Sequence, residues 1–193
     1  YGTDFVKQMN GVFAFAFYDE KLGVLHLFRD RIGVKPLFYT RQGDTIFFAS
    51  EIETLLANSG VKPVLDRKGL NEVFSIGPAK TYGCGVFKGI DEVLPGHLLS
   101  YTGAETKNFC YRRLESKVHE DNYEQTVEKT AFLLEDAVKN QMISGVPVCT
   151  FLSGGLDSSL VSAICARELR KEGKRLHTFS FDFMGNDKYF QAN

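Results

Sequence analysis

The sequence has little net charge and no long apolar run. Its 193 residues carry 23 lysines and arginines against 24 aspartates and glutamates, for a formal net charge of −1. Because this balance leaves no broad basic surface, we expect no nucleic-acid partner. No apolar stretch is long enough to span a membrane. We therefore expect no signal peptide and no membrane partner, and the sequence predicts a soluble, cytoplasmic protein.

Cysteine is also scarce, and its spacing predicts no metal site. Cys84, Cys110, Cys149 and Cys165 show neither C-x-x-C spacing nor a nearby pair of histidines. Cys149 and Cys165 lie within apolar patterns, so we interpret the cysteines as small buried side chains in a reducing compartment. Hydrophobic residues make up 44% of the chain and aromatic residues 13%, enough for the core of one large or two small domains.

The first half of the chain has the pattern of an antiparallel meander. Strands are predicted over residues 12–18, 24–28, 37–40 and 46–49, joined by short turns. Because residues 12–18 are apolar on both faces, we expect that strand to be covered on both sides. Before it, residues 4–10 resemble the last turns of a helix that Gly11 stops, which indicates an incomplete sequence. A short helix is expected from Ser50, and Asp66 is predicted to cap a helix over residues 67–75.

Three sets of polar residues in this half could have either a structural or a functional role. Residues 29–31, Arg-Asp-Arg, form either a buried charge network or a partner surface, and the sequence favours the network because such pairs usually fix loops. His26 lies in the middle of a strand, where a packed or edge histidine is commoner than a ligand. His97, beside a Pro-Gly turn, is expected to be structural.

The second half predicts alternating helices and strands. A capping box of Asp121 and Glu124 is expected to begin an amphipathic helix that Gly145 closes and that covers a sheet. An apolar strand over residues 146–152, a helix from Leu156 and a strand over residues 176–181 follow. This order is the opening of a parallel doubly wound sheet, in which ligands bind at the carboxyl ends of strands.

The turn at the end of the first of these strands is the main functional signal. Its sequence, residues 153–159, is Ser-Gly-Gly-Leu-Asp-Ser-Ser. A strand–turn–helix of this kind aims backbone N–H groups and the positive end of a helix dipole at one point, which favours an anion. Gly154 and Gly155 permit close approach, and Ser153, Ser158 and Ser159 add hydroxyl donors. Asp157 would repel bare phosphate but fits beside a bound cation such as Mg²⁺.

Two other motifs share features with this turn. It is not a Walker loop, because no Gly-Lys-Ser/Thr follows. An ordinary turn with capping serines is the simpler interpretation. Six residues nevertheless match Ser-Gly-Gly-x-Asp-Ser in the right strand–turn–helix setting, and this match favours a nucleotide site. The pattern resembles the pyrophosphate-binding loop of ATP pyrophosphatases.

Five segments in order resemble glutamine-hydrolysing asparagine synthetases of the asparagine synthetase B type. They are residues 11–15, 29–39, 49–52, 95–97 and 152–159. The resemblance implies an α+β N-terminal-nucleophile glutaminase portion, an αββα sandwich, followed by the start of an α/β ATP-pyrophosphatase (adenine nucleotide α hydrolase-like) parallel sheet. Residues 1–105 would be the C-terminal part of a class II glutamine amidotransferase domain with a linker. Residues 106–193 would be the N-terminal part of the synthetase domain.

The resemblance also implies a reaction. Members of the family hydrolyse glutamine and pass the ammonia internally to a site where MgATP has adenylated the β-carboxylate of aspartate; asparagine, AMP and PPi leave. The resemblance thus implies a C–N ligase with ATP and Mg²⁺ as cofactors, L-aspartate and L-glutamine as substrates, and a homodimer.

Roles carry over to this chain position by position. The resemblance makes residues 153–159 the pyrophosphate site and places Asp157 by the Mg²⁺–pyrophosphate as the metal residue. It assigns adenine binding to the backbones of Leu152 and Phe181. The implied cofactor-binding residues are Leu152, Ser153, Gly154, Gly155, Leu156, Asp157, Ser158, Ser159 and Phe181. The family's glutaminase nucleophile is an N-terminal cysteine, whereas residue 1 is Tyr1. We therefore expect no catalytic residue here and interpret the chain as an internal fragment, inactive by itself.

Two other functions stay open at this point. A related synthetase that closes a different amide, such as a β-lactam synthetase or a peptide cyclase, would carry the same loop, because the acceptor pocket lies outside this sequence. Dependence of PPi release on L-aspartate separates the two. The other possibility is a non-catalytic remnant that binds nucleotide or a partner, and it gains weight only if the natural protein is this chain alone.

Overall fold

The computed structural model describes residues 2–75 and 80–181, and the chain divides into two compact units, residues 1–116 and 117–193. No helix in these described ranges is long and apolar enough to cross a membrane. The first unit begins with a 3₁₀ helix, Gly2–Gln8, and contains two short α-helices, α1 (Ile52–Leu56) and α2 (Arg67–Ser75). Its strands are β1 (Ala14–Asp19), β2 (Val24–Arg29), β3 (Phe38–Gln42), β4 (Thr45–Ala49), β5 (Ile90–Glu92), β6 (His97–Tyr101) and β7 (Thr106–Cys110).

The strands of the first unit form two antiparallel sheets. One sheet has the order β1-β2-β6-β7 and the other β4-β3-β5. The predicted meander is therefore correct in its strands, but consecutive pairs are distributed between two sheets. Strand β7 pairs with β6 throughout, with Leu99 opposite Asn108. It thus lies in the first unit, beyond the division after residue 105 expected from the sequence. All five of its residues are exposed, so it shows no alternation of buried apolar and exposed polar side chains, the pattern that marks a strand.

Apolar side chains pack in three clusters that separate four layers. The cluster between the two sheets comprises Leu27, Leu37, Val93, Leu99 and Tyr101. On the outer face of the three-stranded sheet, Phe38 and Ile90 pack with Leu55 of α1. On the outer face of the four-stranded sheet, Phe28 and Leu98 pack with Val6 of the 3₁₀ helix. The unit is therefore layered helix, sheet, sheet, helix.

Two expectations for the start of the chain are wrong. A helix does precede Gly11, but it is a 3₁₀ helix and it ends at Gln8, not at Asn10. Strand β1 is not covered on both sides, since Phe17 and Tyr18 remain 49% and 57% exposed. Strand β1 lies at the edge of its sheet, whereas the next strand inward, β2, has the covered position, with its last four residues buried.

The polar residues after β2 form the buried network that the sequence favoured. Arg29 is 5% exposed and pairs with Glu92 at 2.9 Å. Its guanidinium also donates to three backbone oxygens, those of Lys35, Gly33 and Val93. Asp30 is 1% exposed, and its carboxylate accepts from the N–H groups of Ile32, Gly33, Val34 and Lys35. The two side chains therefore fix the turn over residues 30–35.

The two histidines singled out in this unit have structural roles, as expected. His26 is buried, and its Nδ1 lies 2.8 Å from Ser100 Oγ on the neighbouring strand. Burial is the main cause that lowers the pKa of His26, against a smaller raising effect of Asp19. His97 Nδ1 bonds the Pro95 carbonyl at 2.7 Å.

The second unit contains the elements α3 (Tyr123–Gln141), β8 (Cys149–Phe151), α4 (Leu156–Lys171) and β9 (His177–Phe179). Strands β8 and β9 pair in parallel, with Thr150 opposite Thr178, so the predicted parallel pair is confirmed. Helix α3 buries no residue, and ion pairs join it to α4, among them Glu135 with Arg167 at 2.8 Å.

Three details of this unit differ from the prediction. Helix α3 ends at Gln141 with Met142 as its C-cap, so Gly145 does not close it. The capping box is formed by Asn122 and Gln125, one residue later than predicted, because the Asp121 carboxylate instead binds Lys129 at 2.6 Å. Cys149, like Cys110 of β7, is exposed although it lies in a strand, whereas Cys84 and Cys165 are buried as expected. The described cysteines are all free thiols.

Candidate functional site

The predicted turn lies where β8 ends and α4 begins. Four residues, 152–155, separate the last residue of β8 from the first of α4. Gly155 is the N-cap, and no side chain caps this helix end. The N–H groups of the first helical turn, on Leu156, Asp157 and Ser158, have no partner within a helix. The open end of a 16-residue helix therefore presents several donors and its positive dipole end beside the carboxyl end of a parallel strand.

The two glycines leave this helix end open. Gly154 has φ +82°, and a Cβ built on it would have nothing within 4 Å. Its conformation belongs to the left-handed region that favours glycine, although the space around it is free. A Cβ on Gly155 would be 3.7 Å from Ser153 Oγ, an ordinary contact. Without side chains at these two positions, a ligand can approach the backbone directly, which fits a polyphosphate.

Two serines of the motif hold the turn in shape. Ser158 Oγ donates to the Gly155 carbonyl at 3.1 Å and accepts from the Ser153 N–H at 3.3 Å. The hydroxyls of Ser153 and Ser158 lie 3.1 Å apart. Since a hydroxyl has one donor and two acceptor positions, Ser158 uses all three inside the turn and Ser153 Oγ is the donor between them. Ser159 Oγ is exposed on the first turn, and its N–H donates to Gly155 at 3.1 Å.

The residues implied for adenine meet at the same strand end. The Leu152 N–H donates to the Phe179 carbonyl at 2.8 Å, and the Leu152 carbonyl accepts from Ser180 Oγ at 2.6 Å. Phe181 is 80% exposed, and its ring stacks on Phe151 with centroids 5.8 Å apart. The Leu152 N–H is thus occupied, whereas its carbonyl has a second lone pair available for a ligand donor.

One carboxylate lies beside the free N–H groups. Asp157 is exposed in the first turn of α4, where a helix dipole favours negative charge. Within residues 2–75 and 80–181, no three His, Cys, Asp or Glu side chains are grouped to hold a metal ion. Mg²⁺ is often held by one or two carboxylates together with phosphates of its substrate. A single Asp157 therefore fits a cation that arrives with a nucleotide.

Sequence reasoning missed a hydroxyl pair beneath the turn. Thr150 Oγ1 in β8 and Ser162 Oγ in α4 lie 2.8 Å apart, and Ser162 is 7% exposed. The signal was weak but present. Alternation along a strand points Thr150 away from the side of Cys149 and Phe151, and Ser162 falls three residues before the buried Cys165 on one helix face.

Comparisons with known proteins divide the chain in the same order. A family model for the glutamine amidotransferase domain matches residues 1–112, and one for asparagine synthase matches residues 129–192. The chain is 50% identical, over 98% of its length and 31% of the relative's, to a glutamine-hydrolyzing asparagine synthetase of Bacillus subtilis. These matches confirm the resemblance drawn from the motifs, and they support a mixed α/β chain that carries the two domains in this order.

Two further relatives widen the comparison. A putative glutamine-hydrolyzing asparagine synthetase of Methanocaldococcus jannaschii is 36% identical over 95% of this chain and 36% of its own length. An amidase of Penicillium rubens, chyE, is 34% identical over 98% of this chain and 28% of its own length. The chain therefore spans about a third of the length of the relatives it matches.

Proposed function

We propose, because the chain belongs to the glutamine amidotransferase domain family, that its natural gene product is a glutamine-hydrolysing asparagine synthetase. In that reaction ATP adenylates the β-carboxylate of L-aspartate, and ammonia from L-glutamine displaces AMP to give L-asparagine, after release of PPi. The observation that carries the proposal is the uncapped, glycine-flanked end of α4 at the carboxyl end of β8.

The fold supports this assignment in each unit. The four-layer packing of the first unit is what an N-terminal-nucleophile glutaminase sandwich requires, and we assign residues 1–105, together with the strand β7 that pairs with them, to the C-terminal part of that domain and its linker. The parallel pair β8 and β9 with α4 is what the opening of an ATP-pyrophosphatase sheet requires, and we assign the chain after β7 to the N-terminal part of that domain.

The phosphates would bind at the turn. The N–H groups of Leu156, Asp157 and Ser158 and the exposed Ser159 hydroxyl supply donors for a pyrophosphate group. Asp157 would hold a Mg²⁺ ion that arrives with that group, since its own charge would otherwise repel phosphate. When bound, Mg²⁺ neutralises the charge that develops on the departing PPi.

The adenine would bind beside the same strand end. The Leu152 carbonyl can accept a hydrogen bond from the base amino group through its second lone pair. Because the Leu152 N–H is bound to Phe179, the ring nitrogens need a different donor, for which we propose the backbone of Phe181. We assign no catalytic residue within the sequence, and we propose a cytoplasmic homodimer.

Asp157→Ala in the natural gene product tests the assignment. Removing the metal carboxylate should abolish PPi release that depends on aspartate and ATP, while glutamine hydrolysis is largely retained because it belongs to the other domain. Glu124→Ala is a matched control, since Glu124 is the acidic residue in the first turn of α3. Loss of both activities in equal measure, or of neither, contradicts the role of Asp157.

A related amide-forming synthetase would give a different outcome in the same assay. PPi release would then depend on a carboxylate other than L-aspartate, because the loop activates any carboxylate that the acceptor pocket holds. PPi release without any added carboxylate would contradict both synthetase functions.

A further inference from the structure

A directional contact joins the two elements that flank the candidate loop. Thr150 is the middle residue of β8, and Ser162 lies almost two turns into α4. Their hydroxyl oxygens are 2.8 Å apart. In the described part of the second unit, this is the one side-chain hydrogen bond between β8 and the body of α4. We propose that Thr150 and Ser162 are positioning residues that fix the nucleotide loop, an inference that rests on the proposed function.

The rest of the β8–α4 contact is too unspecific to do this. The other buried residues of α4 are Ile164 and Cys165, whose side chains are apolar or only weakly polar. Apolar burial depends on area and has no preferred direction, so it tolerates a helix that slides or rotates by a fraction of a turn. A hydrogen bond weakens steeply when its distance or angle changes. The Thr150–Ser162 pair therefore sets the position of α4 along the strand.

That position determines where the anion donors lie. Ser162 lies six residues after the first residue of α4, a rise of about 9 Å at 1.5 Å per residue. Over that length a helix is stiff, so displacement at Ser162 moves the N–H groups of the first turn with it. The Leu152 end of the loop is held separately by its bond to Phe179. A shift of α4 thus moves one end of the short loop while the other stays in place, which changes the shape of the loop.

Burial makes the pair sensitive to the loss of either hydroxyl. Ser162 is 7% exposed, and a buried hydroxyl without a partner is costly. A serine inside a helix can also bond to the carbonyl of its own preceding turn, which bends the helix. Removing the Thr150 hydroxyl therefore favours a rearrangement of α4 at Ser162.

The test uses three variants of the natural gene product and two readouts. Thr150→Val keeps the shape but removes the hydroxyl, Ser162→Ala removes the other partner, and Thr150→Ser keeps a hydroxyl as the rescue. Thr130→Val on the exposed face of α3 is the matched control. The first readout is amide hydrogen exchange of residues 152–159 without nucleotide. The second is the KM for ATP compared with kcat in aspartate-dependent PPi release.

We expect Thr150→Val and Ser162→Ala to speed amide exchange in the loop and to raise the KM for ATP by about fivefold to tenfold. This factor corresponds to the loss of one hydrogen bond together with a small displacement of the anion donors. Combining them should add little, and Thr150→Ser should return both readouts to within about threefold of the original, since its hydroxyl can bond again. The inference is overturned if exchange and KM match those of Thr130→Val, or if Thr150→Ser behaves like Thr150→Val.

The two readouts separate this inference from the proposed function. If the original protein shows no ATP-dependent PPi release, the synthetase function fails. The positioning of the loop by Thr150 and Ser162 is then decided by the exchange data alone. Faster exchange without a change in KM overturns the claim that the pair positions the nucleotide site.

Discussion

Asp30→Asn should destabilise the first unit far more than the same isosteric change at an exposed carboxylate. The Asp30 carboxylate accepts four backbone N–H bonds, three at Oδ1 of 2.7–3.1 Å and one at Oδ2 of 2.9 Å from Lys35. An asparagine can keep the three bonds at Oδ1, but its NH₂ group would face the Lys35 N–H. One donor then loses its partner and three charge-assisted bonds become neutral ones, for a loss of about 2–3 kcal/mol.

The pH dependence of this loss has a definite sign. Burial alone would raise the pKa of Asp30, but the bonds from the four N–H groups together hold it below its ordinary value. A lowered pKa in the folded state stabilises the fold above the ordinary pKa of the group, and this contribution is lost as the pH falls through the folded value. The gap between original and variant should therefore be full near pH 7 and should narrow in acid.

Urea unfolding followed by far-UV circular dichroism measures both effects, since the chain has no tryptophan for fluorescence. At a slope of about 1–3 kcal/mol per molar urea, the midpoint of Asp30→Asn should fall by about 1–2 M at neutral pH. Asp44→Asn is the control, because the Asp44 side chain is 93% exposed and lies 3.7 Å from Arg41. A midpoint for Asp30→Asn equal to that of Asp44→Asn would refute the reasoning.

Three further predictions concern other parts of the chain. Gly96→Ala should lower the thermal midpoint far more than Gly103→Ala in calorimetry. Both glycines have positive φ, but a Cβ on Gly96 would clash with the Arg112 backbone oxygen, whereas one on Gly103 would have nothing within 4 Å. Equal shifts of the two midpoints would contradict this. Burial, and then the charge of Asp30, raise the pKa of Tyr111 to about 12. Between pH ~10 and 12 only the unfolded state loses the Tyr111 proton, so the free energy of unfolding should decline over this range. Tyr111→Phe should make that decline less steep in urea unfolding, and an unchanged slope would count against it. Gly154→Ala should weaken MgATP binding by the natural gene product by roughly tenfold in calorimetric titration. The φ of +82° strains an alanine, and its Cβ would occupy the open space through which a ligand reaches the backbone. Unchanged affinity would show that the ligand does not approach there.

Local patterns were sufficient where a residue's environment is set by its sequence neighbours. The turn from β8 into α4 was predicted because the glycines and serines that shape it are consecutive. The parallel pair followed for a similar reason, since a helix between two apolar runs forces a crossover. Asp30 was correctly expected to be structural because its four donors lie within five residues of it.

Features that depend on distant contacts were not predictable in the same way. Glu92, the partner of Arg29, comes from another sheet and carries no local sign of that role. Strand β7 is polar and exposed, so only its pairing with β6 identifies it as part of the first unit. The Thr150–Ser162 bond requires knowing which face of β8 the helix α4 covers, a fact that follows from packing.

In the proposed function, the loop at residues 153–159 serves an ATP-pyrophosphatase that adenylates aspartate. The most direct measurement is to give the natural gene product L-aspartate labelled with ¹⁸O in its β-carboxylate, together with MgATP and glutamine, and to find the label by mass spectrometry. Adenylation leaves one carboxylate oxygen on the phosphate of AMP, so the account predicts ¹⁸O in AMP and unlabelled PPi. Label in inorganic phosphate with ADP as the other product, or no transfer of label while asparagine forms, would contradict it.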